Sequence, residues 1–268
     1  MRATQTLLSR GFFGRSMDEL RRRTQIAVSF EAIKGATQPK PLYDFNTPES
    51  VRDCIVMTDK AIGGFSESNF DFHKSTDNNN NDPKIPSAYA RFHGNISTRL
   101  PSDRPNIQRT GFAGFRSPDQ KPTAFGRSMW DIDPYIYLAL RVKSDGRSYF
   151  VNLQTESVEP SDLHQHRLFP KRPGQWETVL IKWNDFVRTN HGFVVEPQTE
   201  MLRQKVLTVG IGLTDRVDGP FELCIERAWA TNDPSEAEVI EEPKAEIDPE
   251  EGQLRNKKGE KIKGSLEG

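Results

Sequence analysis

Histidine serves most often in metal binding or proton transfer near neutral pH, and the chain has five. Only His164 and His166 are close in sequence, separated by Gln165. On an extended strand both would face one side and could begin a metal site. Their neighbours are instead Pro160, Ser161, Asp162 and Pro170, with no further His or Cys nearby, so the segment reads as a polar loop short of the three or four ligands a stable site needs. His73, His93 and His191 stand alone. Asp131 and Asp133 flank a turn at Pro134, where aspartate serves turn geometry. Gly63-Gly64 precedes Phe65-Ser66 with neither a partner lysine nor a helix start, so it reads as a tight turn rather than a phosphate cradle. No Gly-x-Gly-x-x-Gly, Walker loop or Gly-x-Ser-x-Gly elbow occurs. The expectation is a protein with no catalytic residues, no metal and no cofactor.

Aromatic side chains are the remaining candidates. Trp130, Trp176, Trp183 and Trp229, with Phe112, Phe115, Tyr149 and Phe186, could line a sugar-stacking groove. Most lie within or beside strand-like runs, where packing in a core is the more common use. A carbohydrate-binding β-sandwich module is thus the second reading.

The elements that must position these residues are strands. From Pro41 onward, short alternating or apolar runs recur between Gly, Pro, Asn and Asp clusters, the pattern of an all-β sandwich or barrel. Strands are expected near Pro41–Phe45, Cys54–Thr58, Ser87–Ile96, Gln108–Phe115, Ile136–Val142, Ser148–Gln154, Glu177–Lys182, Val206–Leu213 and Phe221–Trp229, enough for a two-layer jelly roll. Asp145-Gly146 between two β-rich runs predicts a hairpin, and Asp218-Gly219-Pro220 predicts a second.

The flanks differ in texture. Before Asp18 the only charged side chains are Arg2, Arg10 and Arg15, among Ser, Thr and apolar residues, which fits a mitochondrial import segment over 1–17. A helix is expected over Asp18–Lys34, capped near Ser16 or Asp18, with Leu20, Ala27, Phe30 and Ile33 opposite Arg21, Arg22 and Arg23. That pattern suits a helix packed on the domain, lying on a membrane surface, or simply solvated. Residues 18–41 form this helix and a Pro-containing linker, 42–232 the jelly roll, and 233–268 a disordered charged tail. Lys74–Lys84, with four consecutive Asn, reads as a rim insertion.

With 37 basic and 38 acidic residues and a net charge of −1, nothing favours nucleic acid as a partner. No apolar run approaches the ~20 residues that cross a bilayer, so membrane contact is expected to be peripheral. Cys54 and Cys224, in apolar surroundings, read as buried thiols.

Asp59-Lys60-Ala61-Ile62-Gly63-Gly64-Phe65-Ser66, after Leu42-Tyr43-Asp44-Phe45, resembles the opening of the complex I intermediate-associated protein 30 family, with its Asp-x-x-x-Gly-Gly-x-Ser motif. Phe92-His93-Gly94, Gly111-Phe112-Ala113-Gly114, Trp176-Glu177-Thr178-Val179 and Gly210-Ile211-Gly212 follow in the family's order, across about Leu42–Ala230. The resemblance implies a galactose-binding-like jelly roll in the mitochondrial matrix, peripheral to the inner membrane. It would act as a non-catalytic, chaperone-like assembly factor for respiratory complex I. Its partners would be membrane-arm subunits and other assembly factors. Asp59, Gly63, Gly64 and Ser66 would be motif residues of a structural turn. Relatives joined to dinucleotide-binding domains make an ancillary oxidoreductase role a third reading. Partner contacts are expected at Arg21, Arg22 and Arg23 on the helix, and at Arg109, Arg116, His164, His166 and Arg172 on loops, from their exposed Arg, His and aromatic composition.

Overall fold

Thirteen strands stack in two antiparallel sheets in the computed structural model, which describes residues 11–29, 38–74, 85–157 and 159–237. The first sheet contains β3 (Glu67–Lys74), β4 (Ala88–Ile96), β13 (Gly219–Thr231), β6 (Tyr137–Ser144) and β9 (Trp176–Lys182) in that order, with β1 (Lys40–Asp44) also paired to β13. The second runs β11 (Phe193–Val194), β10 (Val187–Asn190), β8 (Asp162–Arg167), β7 (Tyr149–Thr155), β12 (Val206–Leu213), β5 (Ala113–Arg116) and β2 (Ile55–Thr58). This is the all-β sandwich read from the sequence.

Alternation along each strand fills the space between the sheets. Ala90, Phe92 and Ile96 of β4, Leu138, Leu140 and Val142 of β6, and Val151 and Leu153 of β7 are buried in one cluster. Phe45, Phe70, Phe92 and Phe115 meet there, Phe70 and Phe115 stacked with centroids 4.1 Å apart. Cys224 is buried and Cys54 half-buried, both free, with burial pushing their thiols up to about 12 and about 11.

Both expected hairpins are corners between layers. β6 belongs to the first sheet and β7 to the second, so the turn at Asp145-Gly146 passes the chain across the sandwich; β12 and β13 are divided the same way. Gly146 has the positive φ of 92° that its turn requires. The local signal specifies a reversal, and alternation on the next strand is the same whichever layer it joins, so the pairing partner is not encoded there. Gln108–Phe115 likewise narrows to β5, and the stretch expected to be a polar loop is strand β8.

Helix α1 spans Phe12–Ser29, starting six residues ahead of the expected Asp18 and inside the stretch assigned to import. Ser16 is not its cap: within the helix its hydroxyl donates to Phe12 O at 2.9 Å. A short α2 (Pro48–Arg52) is capped by Thr47, whose hydroxyl accepts from Ser50 N. At the other end a 3-10 turn at Pro234–Glu236 returns onto β13, where Glu236 accepts from Trp229 Nε1 and from Thr231 Oγ1 at 2.7 Å. Packed structure thus runs past 232. The Asn-rich stretch at 75–84, the last part of the expected helix from Phe30 to Lys34 with the residues up to Thr37, and the tail from Glu238 lie outside the described residues.

Candidate interaction surfaces

One rim of the sandwich is built around Asp59. The residue opens a 3-10 turn, Asp59–Ile62, whose amide at Lys60 is capped by Thr58 Oγ1 and which ends at Gly63 with φ +96°. Gly64 N then donates to Asp59 O at 2.8 Å. The fully buried Asp59 carboxylate accepts from Ser66 N (2.9 Å), Ser66 Oγ (2.8 Å) and Gly111 N (2.6 Å). Ser66 Oγ also accepts from Ser97 N at 3.1 Å. These contacts tie the β2–β3 loop to the end of β4 and the approach to β5, joining the two sheets. A Cβ on residue 64 would stand 2.3 Å from Asp59 Cγ, so only glycine fits. The motif residues are thus fixed by packing, with no donor left for a ligand.

A second surface surrounds α1. Ser16 Oγ accepts from Ala124 N (2.8 Å), Arg15 Nη2 donates to Pro122 O (3.3 Å), and the Arg23 guanidinium stands 4.9 Å from the centre of the Phe125 ring. Glu19 accepts from Arg22 Nε (2.9 Å) and Arg23 Nε (2.8 Å), while Arg22 also reaches Asp131 at 3.7 Å. The Arg22 hydrogen bond leads in holding the Glu19 carboxyl down at about 2. Between helix and sandwich lies a cleft of about 540 Å³, lined in part by Arg22, Arg23, Lys40, Arg127, Trp130 and Lys205. Lys40 Nζ donates to Asp131 O at 2.8 Å; burial, chiefly, lowers the pKa of this amine. The opposite side of α1 leaves Phe13, Met17 and Leu20 exposed.

The eight expected contact residues do not form one patch. Arg22 and Arg23 share the α1 cleft with Arg127, which meets Asp119 at 3.5 Å; Asp119 also pairs with Arg116 at 3.1 Å, so one carboxylate links Arg116 to Arg127. Arg21 is exposed on the helix. Arg109 lies 5.2 Å from the centroid of Phe193, and Arg172 sits in the turn after β8, where Glu177 accepts its backbone N–H at 2.8 Å. His164 and His166 share one face of β8, turned inward with Leu153 and Val151 of β7. Burial, chiefly, lowers the pKa of His164, and His166 lies between Phe169 and Phe186. Among the described residues no group of three His, Cys, Asp or Glu could hold a metal.

Most of the aromatics considered for sugar stacking are core residues. Trp130, Trp183, Trp229, Phe115, Tyr149 and Phe186 are buried. Trp176 is half-buried, edge-on to Tyr89 with centroids 5.2 Å apart. What the sequence reading missed is the outward side of α1 and Lys40; the spacing of Phe13, Met17 and Leu20 was a usable signal, obscured by assigning the first two to a removable segment.

Residues 43–225 match the family Complex I intermediate-associated protein 30 (CIA30). The chain belongs to that family. The CIA30 match begins in β1 and ends in β13, and so takes in the Asp59 rim. A protein named Complex I intermediate-associated protein 30, mitochondrial, from Neurospora crassa is 58% identical over 281 residues, covering 100% of this chain and 99% of the relative. The protein of that name from Mus musculus is 29% identical over 204 residues, covering 75% of this chain and 58% of its own length. A solved structure of the family 11 carbohydrate-binding module of cellulosomal cellulase Lic26A-Cel5E from Clostridium thermocellum is similar at a TM-score of 0.50 and 12% identity, covering 74% of this chain and 96% of that one. That likeness shows the β-sandwich fold alone.

Proposed function

We propose that this protein is a non-catalytic assembly factor for mitochondrial respiratory complex I, working in the matrix against the inner membrane. The observation that carries the reading is the 58% identity, end to end, with the Neurospora protein whose name says that it associates with complex I intermediates in mitochondria. The mouse relative bears the same name at 29% identity, which supports a role held by the shared domain. The chemistry agrees: the motif at Asp59 is consumed by packing, and the exposed features are cationic or apolar side chains suited to covering another surface.

The mechanism proposed is a clamp. The sandwich covers a matrix-facing surface of a partly built membrane arm and leaves when later subunits displace it. Arg21, Arg22, Arg23, Arg109, Arg116 and Arg172 remain the proposed contacts, with the α1 side favoured because the fold brings Arg22, Arg23 and Arg127 together there and Arg116 shares Asp119 with Arg127. His164 and His166 are withdrawn as contacts because β8 turns them inward.

Native-gel fractionation of mitochondria with immunodetection tests the reading. The protein should migrate with species smaller than finished complex I and be absent from the finished enzyme. Migration only as the free protein would refute it.

A further inference from the structure

An amphipathic helix packed on a domain ordinarily turns its apolar side inward, because that removes apolar surface from water. The first part of helix α1, through Thr24, is mounted the other way. There it meets the sandwich through Arg15, Ser16 and Arg22, with Arg23 over the Phe125 ring. Phe13, Met17 and Leu20, spaced four and three apart and therefore on one face, are 82%, 51% and 44% exposed. Phe125, also exposed, lies beneath Arg23.

Charge is sorted across the same helix. Its two acids among the described side chains are on the cleft side: Asp18 lines the cleft, and Glu19 is held by Arg22 and Arg23. Arg21 is exposed beside the apolar stripe, while Arg23, though exposed, is turned to the cleft by Glu19. The helix is strongly amphipathic yet polar on average, and no helix among the described residues is long and apolar enough to cross a membrane. This combination of an apolar stripe, a cationic residue beside it and low mean hydropathy is that of helices that lie in the headgroup region of a bilayer.

We propose that the outward face of α1 lies on an anionic phospholipid bilayer, with Phe13, Met17 and Leu20 entering the acyl boundary and Arg21 meeting lipid phosphates. The proposal rests on the peripheral membrane contact named above and assigns it to a surface. In this pose the ion pairs of Glu19 stay between helix and sandwich, so the domain is held against the membrane without a spanning segment. It also requires the mature chain to keep α1, with processing no later than Phe12.

The test is flotation of the full chain with vesicles of phosphatidylcholine alone or with about 20% cardiolipin. Binding is expected to the anionic vesicles, weakened by high salt, and at least roughly ten-fold weaker for the F13S/M17S/L20S triple variant. Arg21→Glu should weaken it less. Circular dichroism of the triple variant checks that the fold is kept, since these side chains face solvent. No binding to anionic vesicles, or equal binding by the triple variant, would overturn the proposal, and a mature N-terminus beyond Phe13, found by sequencing the protein from mitochondria, would do so independently. Complex I assembly is a separate readout: a strain that assembles complex I only with this protein present, but whose protein ignores vesicles, loses the surface and keeps the function.

Discussion

The Asp59 rim and the α1 attachment are both polar, and they are built in opposite ways. At the rim a fully buried carboxylate meets three donors from two segments, and the neighbouring glycine leaves no space for a side chain. At α1 the ion pairs are half open to water, with Arg22 and Arg23 39% and 54% exposed against Glu19. Buried hydrogen bonds to a charged group are strong because the alternative is an unsatisfied donor, whereas exposed ion pairs compete with solvent on nearly equal terms. The rim is therefore part of the scaffold, and α1 is an attachment that can shift at little cost.

Substitutions should separate the two sharply. Asp59→Ala strands three donors and should destabilise the sandwich by about 3–5 kcal/mol, read as a lowered urea midpoint. An effect below about 1 kcal/mol would mean that the rim is no more committed than α1. Gly64→Ala should cost about 1–3 kcal/mol, since a Cβ would stand 2.3 Å from Asp59 Cγ and the turn must move.

Glu19→Gln should change global stability by less than about 1 kcal/mol, yet raise amide exchange in α1. The pH dependence has a defined sign. Because the Glu19 carboxyl is held at about 2 in the folded chain against 4.5 when free, its contribution is fully present above pH 4.5 and is lost as pH falls toward 2. Protection of the α1 amides, taken relative to their intrinsic exchange rate at each pH, should fall through that window in the parent protein and fall less in Glu19→Gln. The smallest effect is expected for Phe13→Ser: at 82% exposure the ring packs on little, and the melting temperature should hold within the equivalent of about 0.5 kcal/mol.

The same contrast explains what could be read from the sequence. Strands β6, β7, β12 and β13 announced themselves because apolar residues alternate along them into the core. Strand β3 was missed because only Phe70 and Phe72 of its eight residues are large and apolar, between Asn69, Asp71 and His73. Strand β8 was missed because its inward residues are Asp162, His164 and His166, the reverse of the usual pattern. Asp162 is accommodated there by Arg188 and Asn190, long-range partners that a local window does not contain. The Gly63-Gly64 turn was legible, but its purpose was not, since the donors on Asp59 come from as far as Gly111. For α1 the periodicity was visible, and which face would meet the domain was not, because that depends on the polar groups of the loop at 122–125.

The most direct test of the central claim is to delete the gene and measure mature complex I by in-gel NADH dehydrogenase activity, with the full chain returned as a control. The account predicts depleted mature enzyme, accumulated membrane-arm fragments and rescue by the returned chain; normal complex I in the deletion strain would contradict it.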